Sequence, residues 1–314
     1  MRFLVVGAGA MGGYFGGRLL EAGQDVTFLV RPARAARLAA TGLSITSPAG
    51  DVHLPWPPTV LAADLRDPFD VVILSCKAYD LDGAMESVAR SVGPGTAVVP
   101  LLNGMRHLDA LDARFGPERV LGGSCFISAT LDDAGRIAHV TDVHRLVFGE
   151  RSGGRSPRVD AIGRAMAAAR FESVVSDDIV QEMWEKWVFL AALAGMTCLT
   201  RAAIGDIVAA GGADLVVALL EECRAIAAAA GHAPRPEPWA AAVRQLTHPQ
   251  SKVTASMLGD LERGGRTEAD HILGDLLHRR GAEAEGDRSI LRIAYTVIKA
   301  AEARAARLLA AKGA

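Results

Sequence analysis

The chain has 314 residues, half of them apolar, and a formal net charge of −2. That length exceeds one ordinary domain, so two are expected. The apolar content excludes a disordered chain, and the near-neutral balance argues against a nucleic-acid binder, which needs a basic surplus.

Residues 3–6 are a short apolar run closed by Gly7, as in a fully buried parallel strand. Residues 10–22 read as a helix ended by Gly23, and residues 25–31 as a second strand. A hairpin is expected from 43–46 and 51–54, joined through Pro48-Ala49-Gly50. Residues 70–76 and 96–99 are further buried strands, with helices at 80–91 and 105–115. This alternation predicts an α/β domain with a parallel sheet covered on both faces. Beyond about residue 176 strand signals almost vanish and alanine, the best helix former, becomes dense at 225–230 and 300–311. Pro234, Pro236 and Pro238 mark one loop between helices, and 281–287 another. The expected division is therefore an α/β domain over 1–177 and an all-helical domain over 178–314. Arg292, Lys299, Arg304, Arg307 and Lys312 of the last helix read as a solvated face.

Cys76, Cys125, Cys198 and Cys223 stand far apart, with no CxxC pair. Neither a zinc site nor a redox motif is indicated, and buried, reduced thiols in the cytoplasm are expected. No stretch reaches the ~20 apolar residues of a membrane helix; the best candidate, 187–199, is too short. Residues 3–17 carry no charge, but their glycine punctuation reads as strand, turn and helix rather than as a secretory leader.

Gly7-Ala8-Gly9-Ala10-Met11-Gly12 is G-x-G-x-x-G, set between the first strand and the first helix, the context that gives this motif meaning. Gly7 permits the tight turn, Gly9 the approach of a pyrophosphate, and Gly12 the close seating of the helix. Free N–H groups at the helix start then face the phosphates. Gly13, Gly16 and Gly17 also fall in this helix, so tight packing is expected there. At the end of the second strand a protein that binds NAD usually places a carboxylate for the ribose 2′-OH. This chain places Arg31, with Arg34 and Arg37 behind it. A guanidinium suits a 2′-phosphate, which favours NADP (NADPH) over NAD; the plain alternative is an exposed arginine at a strand end.

Lys77 and Asn103 follow the strands at 70–76 and 96–99, where ligands of such sheets bind. Each also reads as an ordinary polar residue at a strand end. Lys186 lies four residues after Glu182, the spacing of a solvated salt bridge. Trp184, Trp187 and Phe189 crowd the same turn and suggest instead a partly buried lysine suited to proton transfer. Glu268 near a helix start is ordinarily a residue that complements the helix dipole. Glu268 and His271 make only a weak metal pattern, and no metal is expected.

Taken in order, Gly7 to Gly12, Cys76-Lys77-Ala78, Asn103-Gly104, Trp184-Glu185-Lys186, Ser256-Met257-Leu258 and Arg266-Thr267-Glu268 resemble the ketopantoate reductase (2-dehydropantoate 2-reductase) family over nearly the whole chain. The resemblance implies a Rossmann-type domain followed by a helical one. It implies that Lys186 protonates the ketone oxygen and that Glu268 assists by positioning. It gives Asn103 and Ser256 contacts to substrate or nicotinamide, and places Lys77 along the cofactor cleft. It allows a monomer or a homodimer. Members commonly carry asparagines four and eight residues after the lysine, and another before a Gly-Glu pair. Here those places hold Leu190, Ala194 and Ile204, so the wall expected to meet the substrate is apolar.

The expected activity is NADPH-dependent reduction of a small 2-oxo acid. Ketopantoate, on the route to pantothenate, is the default substrate. A more apolar 2-oxo acid is the alternative, and a non-catalytic NADPH sensor is the rival from another class. No nucleic-acid or membrane partner is expected.

Overall fold

The computed structural model describes residues 1–280 and 289–312; the loop expected at 281–287 lies outside them. The chain divides into two compact units. One comprises Met1–Leu102 and His107–Val180; the other comprises Asn103–Arg106 and the chain from Gln181 onward.

The elements from the N-terminus are β1 (Arg2–Val6), α1 (Ala10–Glu21), β2 (Asp25–Leu29), α2 (Pro32–Thr41), β3 (Leu43–Thr46), β4 (Val52–Leu54) and β5 (Thr59–Val60). There follow β6 (Val71–Leu74), α3 (Leu81–Val88), β7 (Ala97–Pro100), α4 (Arg106–Phe115), β8 (Gly122–Leu131), β9 (Ile137–Gly149), α5 (Pro157–Met166) and β10 (Glu172–Val175). The remainder is helical: α6 (Ile179–Thr200), α7 (Ile204–Ala209), α8 (Ala213–Ala229), α9 (Pro236–Leu246), α10 (Ser256–Glu262), α11 (Asp275–Arg280) and α12 (Ile290–Lys312).

One sheet has the order β5-β2-β1-β6-β7, and all of its pairings are parallel. β6 and β7 are buried along their whole length, and β1 from Phe3 to Val6, as a parallel sheet covered on both faces requires. The chain order reverses beside β1, whose neighbours are β2 and β6. Ligands of open α/β sheets bind at such a switch point, beyond the carboxyl ends of the strands.

The second sheet has the order β10-β9-β3-β4, with β8 antiparallel to β9. The expected hairpin is its β3–β4 edge, pairing Leu43 with Leu54 and Ile45 with Val52. The sheet as a whole, with β8, β9 and β10, goes beyond the sequence reading, as do β5, α2 and α5. Helix α1 packs against both sheets, which explains its glycines. A methyl group on Gly12 would lie 2.2 Å from the Gly7 carbonyl oxygen, and one on Gly16 would lie 2.6 Å from Phe28 of β2. Gly13 and Gly17 face the other sheet: methyl groups there would lie 2.5 Å from Ile137 and 2.9 Å from Ile45.

In the helical unit, Pro236 and Pro238 belong to the first turn of α9 rather than to the loop that they seemed to mark. The first N–H groups of a helix have no partner within it, so proline there costs no hydrogen bond. Lys299 also departs from the expected solvated face: its Nζ donates to Asp270 Oδ2 at 2.9 Å and to Glu302 Oε2 at 2.7 Å. Among the described residues no helix is long and apolar enough to cross a membrane, and no three His, Cys, Asp or Glu residues are grouped to hold a metal ion. The four cysteines form no disulfide; three are buried and Cys76 is half-buried.

Candidate active site

In the first unit the glycine turn, the candidate dinucleotide cradle, lies at the switch point. Gly7 follows β1 with φ +92°, a left-handed conformation suited to glycine, and its N–H donates to Leu29 O at 2.9 Å. The turn is thus tied to the end of β2. Gly9 caps α1, and a methyl group built on it would meet nothing within 4 Å. The backbone is open on the side where a pyrophosphate would approach. Gly12 is closed in against Gly7 and Ser75, so the helix starts hard against the sheet. Ser75 Oγ donates to Val6 O at 2.8 Å and braces the same turn from the end of β6. The first turn of α1 holds no acidic residue, which leaves its positive end uncompensated. Ala8, Ala10 and Met11 complete the turn, and half-buried Lys77 follows β6.

The three arginines after β2 have different surroundings. Arg31 is the N-cap of α2, its side chain is 82% exposed, and it pairs with Asp80 at 3.2 Å. Arg34 is turned into the structure: its Nε donates to Ala8 O at 3.0 Å, and its two terminal nitrogens donate to Gly135 O at 3.1 and 3.2 Å. Arg37 donates to Asp133 O at 3.0 Å. Arg34 is half-buried, whereas Arg31 and Arg37 are exposed.

The second unit gathers the other candidates. Lys186 lies on α6 and is half-buried, as is Leu190 one turn on; Ala194, a further turn on, is wholly buried. Ile204, at the start of α7, is also wholly buried, and its N–H donates to Val253 O at 3.1 Å. Trp184 and Trp187 flank Lys186 in sequence and are both buried, with ring centroids 4.9 Å apart. Trp187 Nε1 donates to Ile272 O at 2.9 Å, which ties α6 to the segment after Glu268. Glu185 is held by Arg235 through Oε1 and Oε2, each at 2.7 Å. Ser256 opens α10 and is exposed.

Glu268 is buried and precedes a π-helical turn, Asp270–Gly274. Its neighbour Thr267 donates to Glu302 Oε1 from the backbone at 2.8 Å and from the hydroxyl at 2.7 Å. Tyr295 and Lys299 of α12 donate to Asp270 at 2.7 and 2.9 Å. Three side chains of α12, Glu302, Tyr295 and Lys299, thereby clamp the strip that bears Glu268 through four hydrogen bonds. Asn103 is half-buried and groups with this unit although β7 just before it belongs to the other. Its backbone hydrogen-bonds to His271.

A family model described as ketopantoate reductase PanE/ApbA matches residues 3–153, and its C-terminal counterpart matches residues 178–302. The chain belongs to the ketopantoate reductase family. Ketopantoate reductases act as nicotinamide-dependent reductases of 2-oxo acids, and this chain is an oxidoreductase of that kind. The uncharacterized oxidoreductase YkpB of Bacillus subtilis is 41% identical over 280 residues, spanning 89% of this chain and 92% of that protein. The crystal structure of 2-dehydropantoate 2-reductase from Geobacter metallireducens GS-15 is 27% identical with a TM-score of 0.86, covering 96% of this chain and 100% of that one. A D-mandelate dehydrogenase solved with NADH and anilino(oxo)acetate is 21% identical with a TM-score of 0.85, covering 97% and 99%, a likeness of fold.

Against this family background, two features had no signal in the sequence. Arg34 finds its partner Gly135 at a separation of 101 residues, and Glu302 finds Thr267 at 35. Both bonds depend on tertiary packing rather than on local spacing.

Proposed function

We propose that this member of the family reduces a 2-oxo acid with NADPH, with 2-dehydropantoate as the default substrate on the route to pantothenate. The observation that carries the cofactor choice is Arg31, an open guanidinium just beyond β2, at the position where NAD-binding proteins usually carry a carboxylate for the ribose 2′-OH; its partner there is the part-exposed Asp80. The cradle fits a dinucleotide because Gly9 leaves its backbone bare while Gly12 and Ser75 hold the turn. When bound, the nicotinamide supplies a hydride to the keto carbon. Lys186 gives a proton to the keto oxygen, and its charge steadies that oxygen as electron density builds on it. Glu268 orients the substrate from the clamped strip, while Asn103 and Ser256 contact substrate or nicotinamide. The product is the 2-hydroxy acid.

A second reading, a more apolar 2-oxo acid, is favoured by Leu190 and Ala194, neither of which can donate a hydrogen bond to a substrate hydroxyl. Consumption of NADPH and of NADH with a panel of 2-oxo acids that includes 2-dehydropantoate tests both. The account expects turnover with at least one of them and preference for NADPH; preference for NADH would overturn the assignment of Arg31.

A further inference from the structure

We propose that His271 is a positioning residue that fixes the Asn103–Gly104 turn against the segment bearing Glu268. The inference rests on the roles given above to Asn103 and Glu268, and gives that site a further member. His271 is buried, and its imidazole hydrogen-bonds to the Asn103 backbone. The contact favours the protonated ring, which identifies the Asn103 carbonyl as the acceptor. Gly104 has φ +77°, and a methyl group on it would lie 3.0 Å from the His271 carbonyl oxygen and 3.1 Å from ring atom Cδ2. The glycine and the imidazole are therefore fitted to each other, and a larger residue at 104 would displace the ring. His271 N–H donates to Glu268 O at 3.0 Å, so the same residue is tied to Glu268 through its backbone and to Asn103 through its ring.

His271 also lies within the π-helical turn, next to Ile272, whose carbonyl accepts from Trp187 one residue beyond Lys186. A π turn carries an extra residue per turn and recurs at functional sites. Burial holds the imidazole below its ordinary pKa, against the pull of Glu268 and Asp275, so the ring is neutral at neutral pH and donates one N–H. Asn103–Arg106 groups with the helical unit although the chain on either side does not, and the contacts of His271 with Asn103 and Gly104 lie within that segment.

A double-mutant cycle tests the proposal, because residues that act through one another are not additive. His271→Phe keeps the bulk and removes the donor. It should lower kcat/KM for the 2-oxo acid about ten- to a hundredfold and leave NADPH affinity within about threefold, the size of effect expected when a supporting bond to a working group is lost. His271→Gln, which retains a donor, should recover part of the loss. In an Asn103→Ala background, His271→Phe should cost less than about threefold more, because no side chain remains to be positioned. Full wild-type kcat/KM in His271→Phe, or independent multiplicative effects of the two substitutions, would overturn the proposal. Should the phenylalanine variant not fold, His271→Gln and His271→Ala complete the cycle under the same criterion. Lys186→Ala serves as the control: if it retains turnover, the functional reading itself fails. If it is inactive while the cycle shows independence, only the positioning role fails.

Discussion

Arg34 Nε donates to the Ala8 carbonyl at 3.0 Å, which commits that arginine to the backbone of the glycine turn. Its remaining N–H groups hold Gly135, in the turn between β8 and β9. Arg31, three residues earlier, pairs at the surface with Asp80. The two arginines should therefore separate by cofactor. Arg31→Ala should weaken NADPH by tenfold or more, the loss of a charge-assisted contact worth about 1.5–3 kcal/mol, and leave NADH nearly unchanged. Arg34→Ala should weaken both dinucleotides together. Fluorescence titration with each cofactor checks this, and equal weakening of both by Arg31→Ala would remove its role as reader of the 2′-phosphate.

The glycines of the turn should separate by stability. Gly9→Ala meets open space at φ −82°, so it should melt like wild type while losing dinucleotide affinity at least tenfold. Gly12→Ala forces a methyl group against the Gly7 carbonyl and should destabilise by about 1–3 kcal/mol or more, seen as a lowered melting temperature. A Gly9→Ala protein that binds dinucleotide normally would place the pyrophosphate elsewhere.

The clamp under Glu268 should respond to pH. Burial opposes ionisation of Glu302, but hydrogen bonds from Lys299 and Thr267 outweigh it and hold the carboxyl below its ordinary range. Burial likewise opposes the charge on Lys299, and its bonds to Glu302 and Asp270 raise it above the usual ammonium range. A depressed carboxylate stabilises above its unfolded pKa and loses that contribution as pH falls through the folded value. A raised ammonium stabilises below its unfolded pKa and loses that contribution as pH rises through the folded value. The clamp is therefore intact at neutral pH; its carboxylate contribution starts to fade only as pH falls below the ordinary glutamate range, its ammonium contribution only as pH rises above about 10.5, and each is lost further out, at the folded value. Glu302→Gln should destabilise by about 1–2 kcal/mol at pH 7 and by less at low pH, once the carboxyl protonates. An unchanged difference at both pH values would mean that the charge contributes nothing.

Substrate choice should turn on α6. Leu190 keeps part of its surface one turn beyond Lys186, whereas Ala194 is wholly buried. A substrate hydroxyl left without a partner costs about 1–3 kcal/mol. The protein should therefore use 2-dehydropantoate no more than about tenfold better than its analogue lacking the hydroxyl, and Leu190→Asn should raise that ratio. A wild-type preference of a hundredfold or more, about 2.7 kcal/mol, would contradict an apolar wall.

What could be read from the sequence was local. β1, the glycine turn and α1 are contiguous, so their spacing suffices, and collisions at Gly12, Gly13, Gly16 and Gly17 bear out the packing expected from glycines within a helix. The second sheet was not legible. β3 pairs in parallel with β9, far along the chain, and the register shift between Ile127 and Ala129 breaks the alternation that would have marked β8 and β9 as a hairpin. Pro236 and Pro238 misled because a helix's first turn and a loop accept proline equally well. Lys186 and Glu268 stood out through motif order rather than chemistry, since a lysine near a glutamate and a glutamate near a helix start are both ordinary. The partners of Arg34 and Thr267 could be seen only once the chain had folded.

The most direct test of the account is turnover of Lys186→Ala, measured as NADPH oxidation with the best 2-oxo acid of the panel, beside a titration of NADPH binding. Loss of a positioned proton donor predicts a fall in kcat of about 10²–10⁴-fold, with NADPH binding kept within a few-fold. A variant that binds NADPH and turns over at near the wild-type rate would contradict the assignment of Lys186 as the acid, and with it the mechanism proposed for this protein.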